Sequence, residues 1–272
     1  MSPKISVITP SFNQGEYIEK TILSVLDQNY ENYEHIIVDG GSTDGTVDIL
    51  KRYPHIIWIS EKDKGQADAL NKGLKLASGE IVGWINSDDY YERDIFNTVL
   101  NCFQDTNTLW AIGNLNYSFD LTSEIVTEKS PTITFERLIN NPDIVRQQPA
   151  FFRKQFLVRA GCWNDKYYMV MDYDLWLRLS KLAPPLMIDQ TWAYFRIHAQ
   201  QKTSLKNIIK QSNEINSILK NMQVPVQTRI KIGLKKRWLW FKWFIKGVLL
   251  DTGILSSQYQ NRPMRLKVGN SS

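Results

Sequence analysis

Between Lys4 and Gly113 short β-branched runs alternate with longer stretches of helical periodicity, which restricts the chain to βαβ units around a mostly parallel sheet. The strands predicted are Lys4 to Thr9, Glu34 to Asp39, Ile56 to Ser60, Ile81 to Ile85 and Leu109 to Ile112. Helices are predicted at Tyr17 to Leu26, Thr46 to Arg52, Gln66 to Leu76 and Ile95 to Phe103. The result is an α/β fold, a doubly wound Rossmann-like sheet with helices on both faces. Ligands of such sheets bind beyond the carboxyl ends of the strands. Here polar loops follow strand after strand: Pro10-Ser11-Phe12-Asn13, Asp39 to Gly45, Glu61 to Gly65 and Asn86 to Asp89. All four should line one crevice.

After Gly113 the pattern changes to an Asn, Ser and Thr-rich hairpin-like stretch through Glu128, followed by mixed short elements. A helix is predicted over Tyr173 to Leu182, ended by Pro184-Pro185, and the chain from Leu205 onward is helical in pattern. No repeat of solenoid period occurs. The net charge of +5 gathers at the end, since from Arg229 onward Asp251 is the one acid among many Lys and Arg residues. Two cysteines, Cys102 and Cys162, lie far apart and support neither a disulfide framework nor a zinc site, so a reducing cytoplasm is expected. No signal-peptide order is read at the N-terminus, and charges at Lys242, Lys246 and Asp251 disfavour a transmembrane helix.

The glycines and hydroxyls of Asp39 to Gly45 let backbone N–H groups approach an anionic ligand, with Asp39 free to accept from a base or ribose. The same residues also suit a tight turn in which Ser42 or Thr43 caps the next helix. The spacing is neither the dinucleotide Gly-x-Gly-x-x-Gly nor the Gly-x4-Gly-Lys phosphate loop, which counts against hydride transfer and P-loop chemistry. Asn86-Ser87-Asp88-Asp89 leaves an apolar strand with two hard-oxygen side chains suited to Mg²⁺ or Mn²⁺ shared with a diphosphate, or alternatively to a helix N-cap.

Taken together, Thr9 to Gln14, Val38 to Thr46, Asp63 to Gly73 and Asn86 to Asp89 resemble the family-2 glycosyltransferases of the GT-A fold, in the family's order and over roughly the first 200 residues. The resemblance implies that Pro10, Phe12, Asn13 and Asp39 hold a nucleoside, that Asp63 and Lys64 sit near base or phosphates, and that Asp89 binds the metal with Asp88 contacting donor sugar or phosphate. Asn86 departs from the common Asp-x-Asp-Asp. Met171 to Leu179 resembles the family helix that supplies the catalytic base, which puts Asp172 in that role with Asp174 as competitor and Met171 where an acid is usual. An ionised carboxylate, of ordinary pKa about 3.9, accepts the acceptor's proton as the new bond forms. A cap of the following helix is the plainer role for Asp172. Gln147-Gln148-Pro149-Ala150 and Arg196-Ile197-His198 with Lys202-Thr203-Ser204 are further landmarks, and His198 would ligate the metal or a phosphate, or serve structurally.

The chain then divides into a nucleotide-sugar-binding half (1–112), an acceptor-binding and catalytic-base half of the same domain (113–204) and a helical basic aromatic tail (205–272). In the tail Lys231, Lys235, Lys242 and Lys246 fall within an arc of roughly 60° at helical spacing, amid Trp238, Trp240, Phe241, Trp243 and Phe244. That composition suits the anionic leaflet of a membrane, or packing on the core or a partner subunit, and is too apolar for nucleic acid. The function implied is inverting transfer of a sugar from a nucleoside diphosphate to an acceptor hydroxyl, with Mn²⁺ or Mg²⁺. UDP-sugars come first as donors, then dTDP and GDP, and the acceptor is a glycan or lipid-linked glycan of cell-surface polysaccharide or glycolipid synthesis. The expected location is peripheral, on the cytoplasmic face of the inner membrane, with the oligomeric state open. A degenerate membrane scaffold, motivated by Asn86 and Met171, and a sugar nucleotidyltransferase, which would need a basic Gly-rich loop after the first strand, are the rival readings.

Overall fold

The computed structural model describes residues 3–119, 125–142, 144–198 and 207–234. Four parallel strands form its first half: β1 (Ile5–Ser11), β2 (Tyr33–Asp39), β3 (Ile56–Ser60) and β4 (Ile81–Trp84), in the spatial order β3-β2-β1-β4. Between them run α1 (Ile18–Leu26), α2 (Thr46–Leu50) and α3 (Gln66–Leu76), with the short β5 (Tyr90–Tyr91) and α4 (Ile95–Cys102) after β4. Strand alternation explains why both faces are covered. Ile5 and Val7 of β1 join Val25 of α1 and Ile95, Phe96 and Val99 of α4 in one core, while Ile37 of β2 packs with Ile18, Ile22 and Leu50 on the same side. On the other side a Cβ at Gly73 of α3 would overlap Ile8 and lie 3.4 Å from Val38, so glycine is what allows this helix to press on the sheet. Each large aliphatic side chain fully buried in this way contributes roughly 1.5–3 kcal/mol.

The second half comprises β6 (Trp110–Phe119), β7 (Ile125–Glu128), α5 (Phe135–Asn140), β8 (Ala150–Arg153), α6 (Lys154–Arg159), α7 (Met171–Leu182), β9 (Leu186–Ile197) and α8 (Ile208–Asn221). The sheet continues β4-β8-β6-β9-β5, with β8 antiparallel to both β4 and β6, β9 parallel to β6, and β5 antiparallel to β9. The strand expected over Leu109 to Ile112 is the start of the ten-residue β6, which runs in the direction of β4, with the antiparallel β8 between them. The apolar run Ala150-Phe151-Phe152, almost wholly buried, takes that inner place. The hairpin-like stretch is the antiparallel pair β6–β7. The division drawn at 112/113 falls inside β6, so both halves share one sheet.

Residues 1–218 form one compact unit and 219–272 a second. Within the second, Val224 N–H donates to Leu219 O at 2.9 Å and Arg229 Nε to Val224 O at 3.2 Å, and residues 226–234 are helical. The amphipathic stretch expected over Lys231 to Leu250 lies outside the described residues beyond Leu234. Among the described residues no helix is long and apolar enough to cross a membrane.

At the amino ends of the strands a polar knot closes the sheet. Ser6 Oγ donates to Glu34 at 2.6 Å, the Ser78 amide donates to Glu34 at 2.6 Å, Gly79 N–H donates to Ser6 Oγ at 2.8 Å, and Lys4 Nζ lies 2.7 Å from Glu34. Burial alone would raise the Glu34 carboxyl, but the bonds from Lys4, Ser6 and Ser78 outweigh it and hold it at about 2. A carboxyl lowered from 4.5 stabilises the fold fully above that pH, and the contribution is lost as pH falls toward about 2. Glu34→Gln is therefore expected to cost about 1–3 kcal/mol at pH 7, with the gap to wild type closing between pH 4.5 and 2. His35, fully buried in β2 and pushed by burial to about 3, loses stability below its ordinary 6.5 in both proteins alike, so the difference isolates Glu34. Urea unfolding at several pH values checks this; a pH-independent gap would remove the ionised carboxylate from the knot.

Candidate active site

Two loops at the carboxyl ends of β1 and β2 are joined by hydrogen bonds. Asn13 N–H donates to Ser42 Oγ (2.7 Å), Thr43 N–H to Asn13 Oδ1 (2.9 Å), Gln14 N–H to Thr46 Oγ1 (3.0 Å) and Gly15 N–H to Asp44 Oδ2 (2.9 Å). Asn13 holds a left-handed φ of 51°, which a short amide side chain tolerates. Asp39, fully buried at the end of β2, accepts from Gly41 N–H (3.1 Å), Ser42 N–H (2.9 Å), Ser60 Oγ (2.6 Å) and Ser42 Oγ. Its carboxylate thus organises the turn expected from the sequence. Pro10 is buried within β1 opposite Val38 and shapes the strand end.

Gly40 marks where the loops converge. A Cβ there would lie 2.8 Å from Asp63 Oδ2 and 3.3 Å from Phe12 Cδ2, so the Phe12 ring and the Asp63 carboxylate meet over it. Phe12 is 59% exposed, an apolar shelf on the crevice floor. Asp63 Oδ1 accepts from Gly65 N–H (2.8 Å), and the exposed Lys64 is anchored through its own amide to Asp68 (3.1 Å). Phe12, Asn13, Asp39 and Asp63 are thereby brought together.

After β4 the two adjacent acids take opposite environments. Asp89 is 1% exposed; its Oδ2 accepts from Gln148 Nε2 (2.9 Å) and its Oδ1 from Arg196 N–H (3.1 Å). Burial, and then the charge of Asp88, push its carboxyl well above the usual range. Asp88 keeps 23% of its side chain exposed and places Oδ2 3.1 Å from His198 Nε2, whose ring lies on that of Tyr17 at 4.2 Å. Both oxygens of Asp89, the expected metal contact, are thus engaged from within by Gln148 and Arg196, and the outward carboxylate beside His198 is Asp88. Asn86 accepts from Gln66 Nε2 (2.6 Å) and Trp84 Nε1 (3.0 Å) and donates Nδ2 to Asp89 Oδ2 (3.3 Å). An Asp at this place could not donate, which gives the departure from the common motif a physical reason.

Among the described residues no group of three or more His, Cys, Asp or Glu side chains could hold a metal ion. Asp88 and His198 supply two donors, a set that fits Mg²⁺ or Mn²⁺ when diphosphate oxygens and water complete the shell.

Helix α7 starts at Met171, two residues earlier than predicted, with Val170 as its N-cap, so Asp172 lies inside the first turn rather than capping it. Asp172 is partly exposed, and its Oδ1 accepts from Tyr173 N–H (2.8 Å). Asp174 is 4% exposed and accepts from Arg178 Nε (2.9 Å), while Arg178 Nη2 donates to Cys162 O (2.8 Å) and Nη1 to Ala160 O. Of the two acids left open by the sequence, Asp174 fastens α7 to the end of α6, and Asp172 is the accessible one. Met171 is buried in the core.

The entry to α7 is clamped. Glu214 of α8 accepts from three successive amides, Tyr168 (3.2 Å), Met169 (2.7 Å) and Val170 (3.3 Å), while Lys210 Nζ lies 4.1 Å from the Tyr168 ring centre. That ring borders Gly65, and Asn71 of α3 exchanges two hydrogen bonds with the Trp163 backbone (2.7 and 3.2 Å). The first turn of α7 is so held against the loop that carries Asp63 and Lys64. Sequence reasoning missed Ser60, Thr21 and Glu214. Thr21 Oγ1 bonds the carbonyls of Ser87 (2.9 Å) and Asp89 (2.6 Å). Gln148 was visible as part of a motif, though its partner was not.

A sheet of this topology, with its polar loops gathered at one edge, an outward Asp–His pair and a carboxylate on the first turn of a clamped helix, defines a GT-A type of transferase fold. Residues 6–159 match the model for Glycosyl transferase family 2, more than half of the chain, and the chain belongs to that family. It is 29% identical over 222 residues to WfaP of Escherichia coli, named as a UDP-Glc:alpha-D-GlcNAc-diphosphoundecaprenol beta-1,3-glucosyltransferase, covering 79% of this chain and 86% of that one. It is 27% identical over 241 residues to the Escherichia coli chondroitin synthase, covering 86% of this chain and 34% of the synthase, so it spans about a third of that relative's length. Among solved structures, S. aureus TarS 1–349 in complex with UDP superposes with a TM-score of 0.62 at 18% identity, covering 86% of this chain and 70% of that one. The mannosyltransferase PcManGT from Pyrobaculum calidifontis, in complex with GDP-Man and Mn²⁺, gives 0.58 at 18%, covering 83% and 65%.

Because the Asn86 amide is one of three donors to Asp89, Asn86→Asp would remove that donor and set a third carboxylate beside two others. A loss of about 1–3 kcal/mol is expected, read by urea unfolding at pH 7. Unchanged stability would mean that Asp89 does not depend on that donor.

Proposed function

We propose that the chain transfers a sugar from a nucleoside diphosphate sugar to an acceptor hydroxyl with inversion at the anomeric carbon. The observation that carries this reading is the Asp88–His198 pair set beside the nucleotide-type loops of a family-2 sheet. In this reading Phe12, Asn13, Asp39, Asp63 and Lys64, with Pro10 shaping the strand end, receive the nucleotide at the joined β1 and β2 loops. Phe12 offers its exposed ring to the base, and Lys64 its charge to the phosphates. Asp88 and His198 would hold Mn²⁺ or Mg²⁺, which when bound neutralises charge on the departing diphosphate. Asp89 serves from beneath, through Gln148 and Arg196, by fixing the direction in which Asp88 points. Asp172 takes the proton of the acceptor hydroxyl as the oxygen–carbon bond forms and the bond from the anomeric carbon to the diphosphate breaks.

UDP-sugars are the first donors to test, supported by the UDP-glucose in the name of WfaP and by TarS structures with UDP and UDP-GlcNAc; dTDP- and GDP-sugars follow. The acceptor class is a glycan or lipid-linked glycan of cell-surface polysaccharide or glycolipid synthesis, supported by the diphosphoundecaprenol in the name of WfaP. Residues 1–112 would serve the donor and 113–204 the acceptor. The tail 205–272 would rest on the anionic cytoplasmic face of the inner membrane. Support for this comes from Val226, Ile230 and Leu234, which are 55%, 56% and 60% exposed at four-residue spacing on one helical face, ahead of the basic aromatic stretch.

Asp172→Asn is expected to lower turnover by roughly 10²–10⁴ while UDP affinity stays within a few-fold. UDP release from UDP-glucose or UDP-GlcNAc with a diphosphoundecaprenol-linked sugar, alongside calorimetric titration of UDP, dTDP and GDP with and without Mn²⁺, checks it. Near-normal turnover in the variant would take Asp172 out of the role. For the tail, the full chain should co-sediment with phosphatidylglycerol-containing vesicles and a chain ended before Arg229 should not; equal binding by both would sink the membrane assignment.

A further inference from the structure

At the edge of the sheet where β5, β9 and the head of α1 meet, rings and one guanidinium stand in series. Tyr194 stacks on Tyr90 with ring centres 4.6 Å apart at 9°. The Arg196 guanidinium lies 5.6 Å from the Tyr90 ring and 5.1 Å from that of Tyr17. Tyr17 in turn lies 4.2 Å from the His198 ring at 34°, and His198 Nε2 is 3.1 Å from Asp88 Oδ2. Tyr17 is 7% and Arg196 5% exposed, and the His198 side chain 3%.

A histidine that binds a cation is usually oriented by a hydrogen bond from its other ring nitrogen. His198 lacks one among the described residues, since Nδ1 is buried with no hydrogen-bond partner. Besides the bond to Asp88, the contact that the described residues give the face of this ring is with Tyr17. Tyr17 is itself fixed by the loop that carries Asn13, because its amide donates to Gln14 O at 2.9 Å. An electron-rich phenol ring also favours an imidazole made electron-poor by coordination.

We propose that Tyr17 is a positioning residue for the Asp88–His198 pair: its ring aims Nε2 at Asp88 and ties the pair to the first nucleotide loop. The inference rests on the cation-site reading above. Without the ring, the imidazole turns among other orientations and the two donors no longer converge.

The test is Mn²⁺ binding to the full chain in the presence of UDP, followed by electron paramagnetic resonance of free Mn²⁺, with UDP affinity measured separately without metal. Tyr17→Leu is expected to weaken Mn²⁺ binding roughly 10- to 100-fold, and Tyr17→Phe, which keeps the ring, by less than about threefold. UDP affinity without metal should stay within a few-fold in both. Wild-type Mn²⁺ affinity in Tyr17→Leu would overturn the inference, and so would a loss in Tyr17→Phe as large as in Tyr17→Leu, which would assign the effect to the hydroxyl. Should Tyr17→Leu fail to fold, as judged by its melting curve, Tyr17→Met provides the ringless comparison. Asp88→Asn separates the two levels. If it abolishes Mn²⁺ binding while ringless Tyr17 variants do not, the positioning role alone falls; if wild type and Asp88→Asn are alike, the cation site falls and the positioning role with it.

Discussion

The carboxylate of Asp89 is the constraint on which the site depends. Taking an acid out of water is costly unless its oxygens are met by donors. Here the donors come from far apart in the chain: Gln148 ahead of β8, the Arg196 amide in β9 and the Asn86 side chain after β4, with Thr21 of α1 bonding the carbonyl of the same residue. Meeting that one buried acid brings four elements to the end of β4. The neighbouring residue then has little choice of direction. With Asp89 turned inward and Asn86 spent on it, Asp88 faces out toward His198, and the accessible acid is selected by the needs of the inaccessible one.

The same logic explains why the antiparallel β8 sits between β4 and β6. Ala150 to Phe152 are nearly without exposed surface, and Phe151 packs among Phe96, Tyr91 and Trp192 in the core shared with α4. Placed beside β4, this strand delivers Gln148 to Asp89 just before it begins. An edge position for it would leave both the aromatic cluster and the buried carboxylate unmet.

How much of this could be read from the chain follows from where the information lies. Strands β1 to β4 are apolar runs bounded by polar loops, since both faces of that sheet are covered, and α1 and α3 show helical periodicity because each buries one stripe. The loops that follow these strands were legible for the same reason: they stand at fixed places after readable elements. The place of β8 was not, because strand neighbours far apart in sequence leave no periodic trace. The opposed roles of Asp88 and Asp89 were equally hidden, as two adjacent acids differ only in which one meets the core. The pairing of Asp174 with Arg178 was legible and overlooked; the two are four residues apart on one helix, the spacing at which opposite charges meet. Glu214 lies more than 40 residues from the amides it holds, and nothing local in the sequence announces it.

These differences in anchoring have a chemical reading. Helix α7 is fixed at its entry by three amides on Glu214 and along its length by Arg178, bonds between a charged group and backbone or carboxylate that resist rearrangement. The nucleotide-type loops also use carboxylate–amide bonds, at Asp39 and Asp44, but add to them a set made by the hydroxyls of Ser42, Ser60 and Thr46 and the amide of Asn13. A hydroxyl can rotate and exchange its partner for a ligand group without moving the backbone. Under the proposed function Asp39 would meet a nucleoside donor by turning the Ser42 and Ser60 hydroxyls while keeping its two loop amides, and the carboxylate proposed as base would stay in place. An arrangement stiff around the carboxylate proposed as base, with exchangeable hydroxyls around the loops proposed for the donor, suits a reaction in which the nucleotide must enter and leave in each cycle and the base must not.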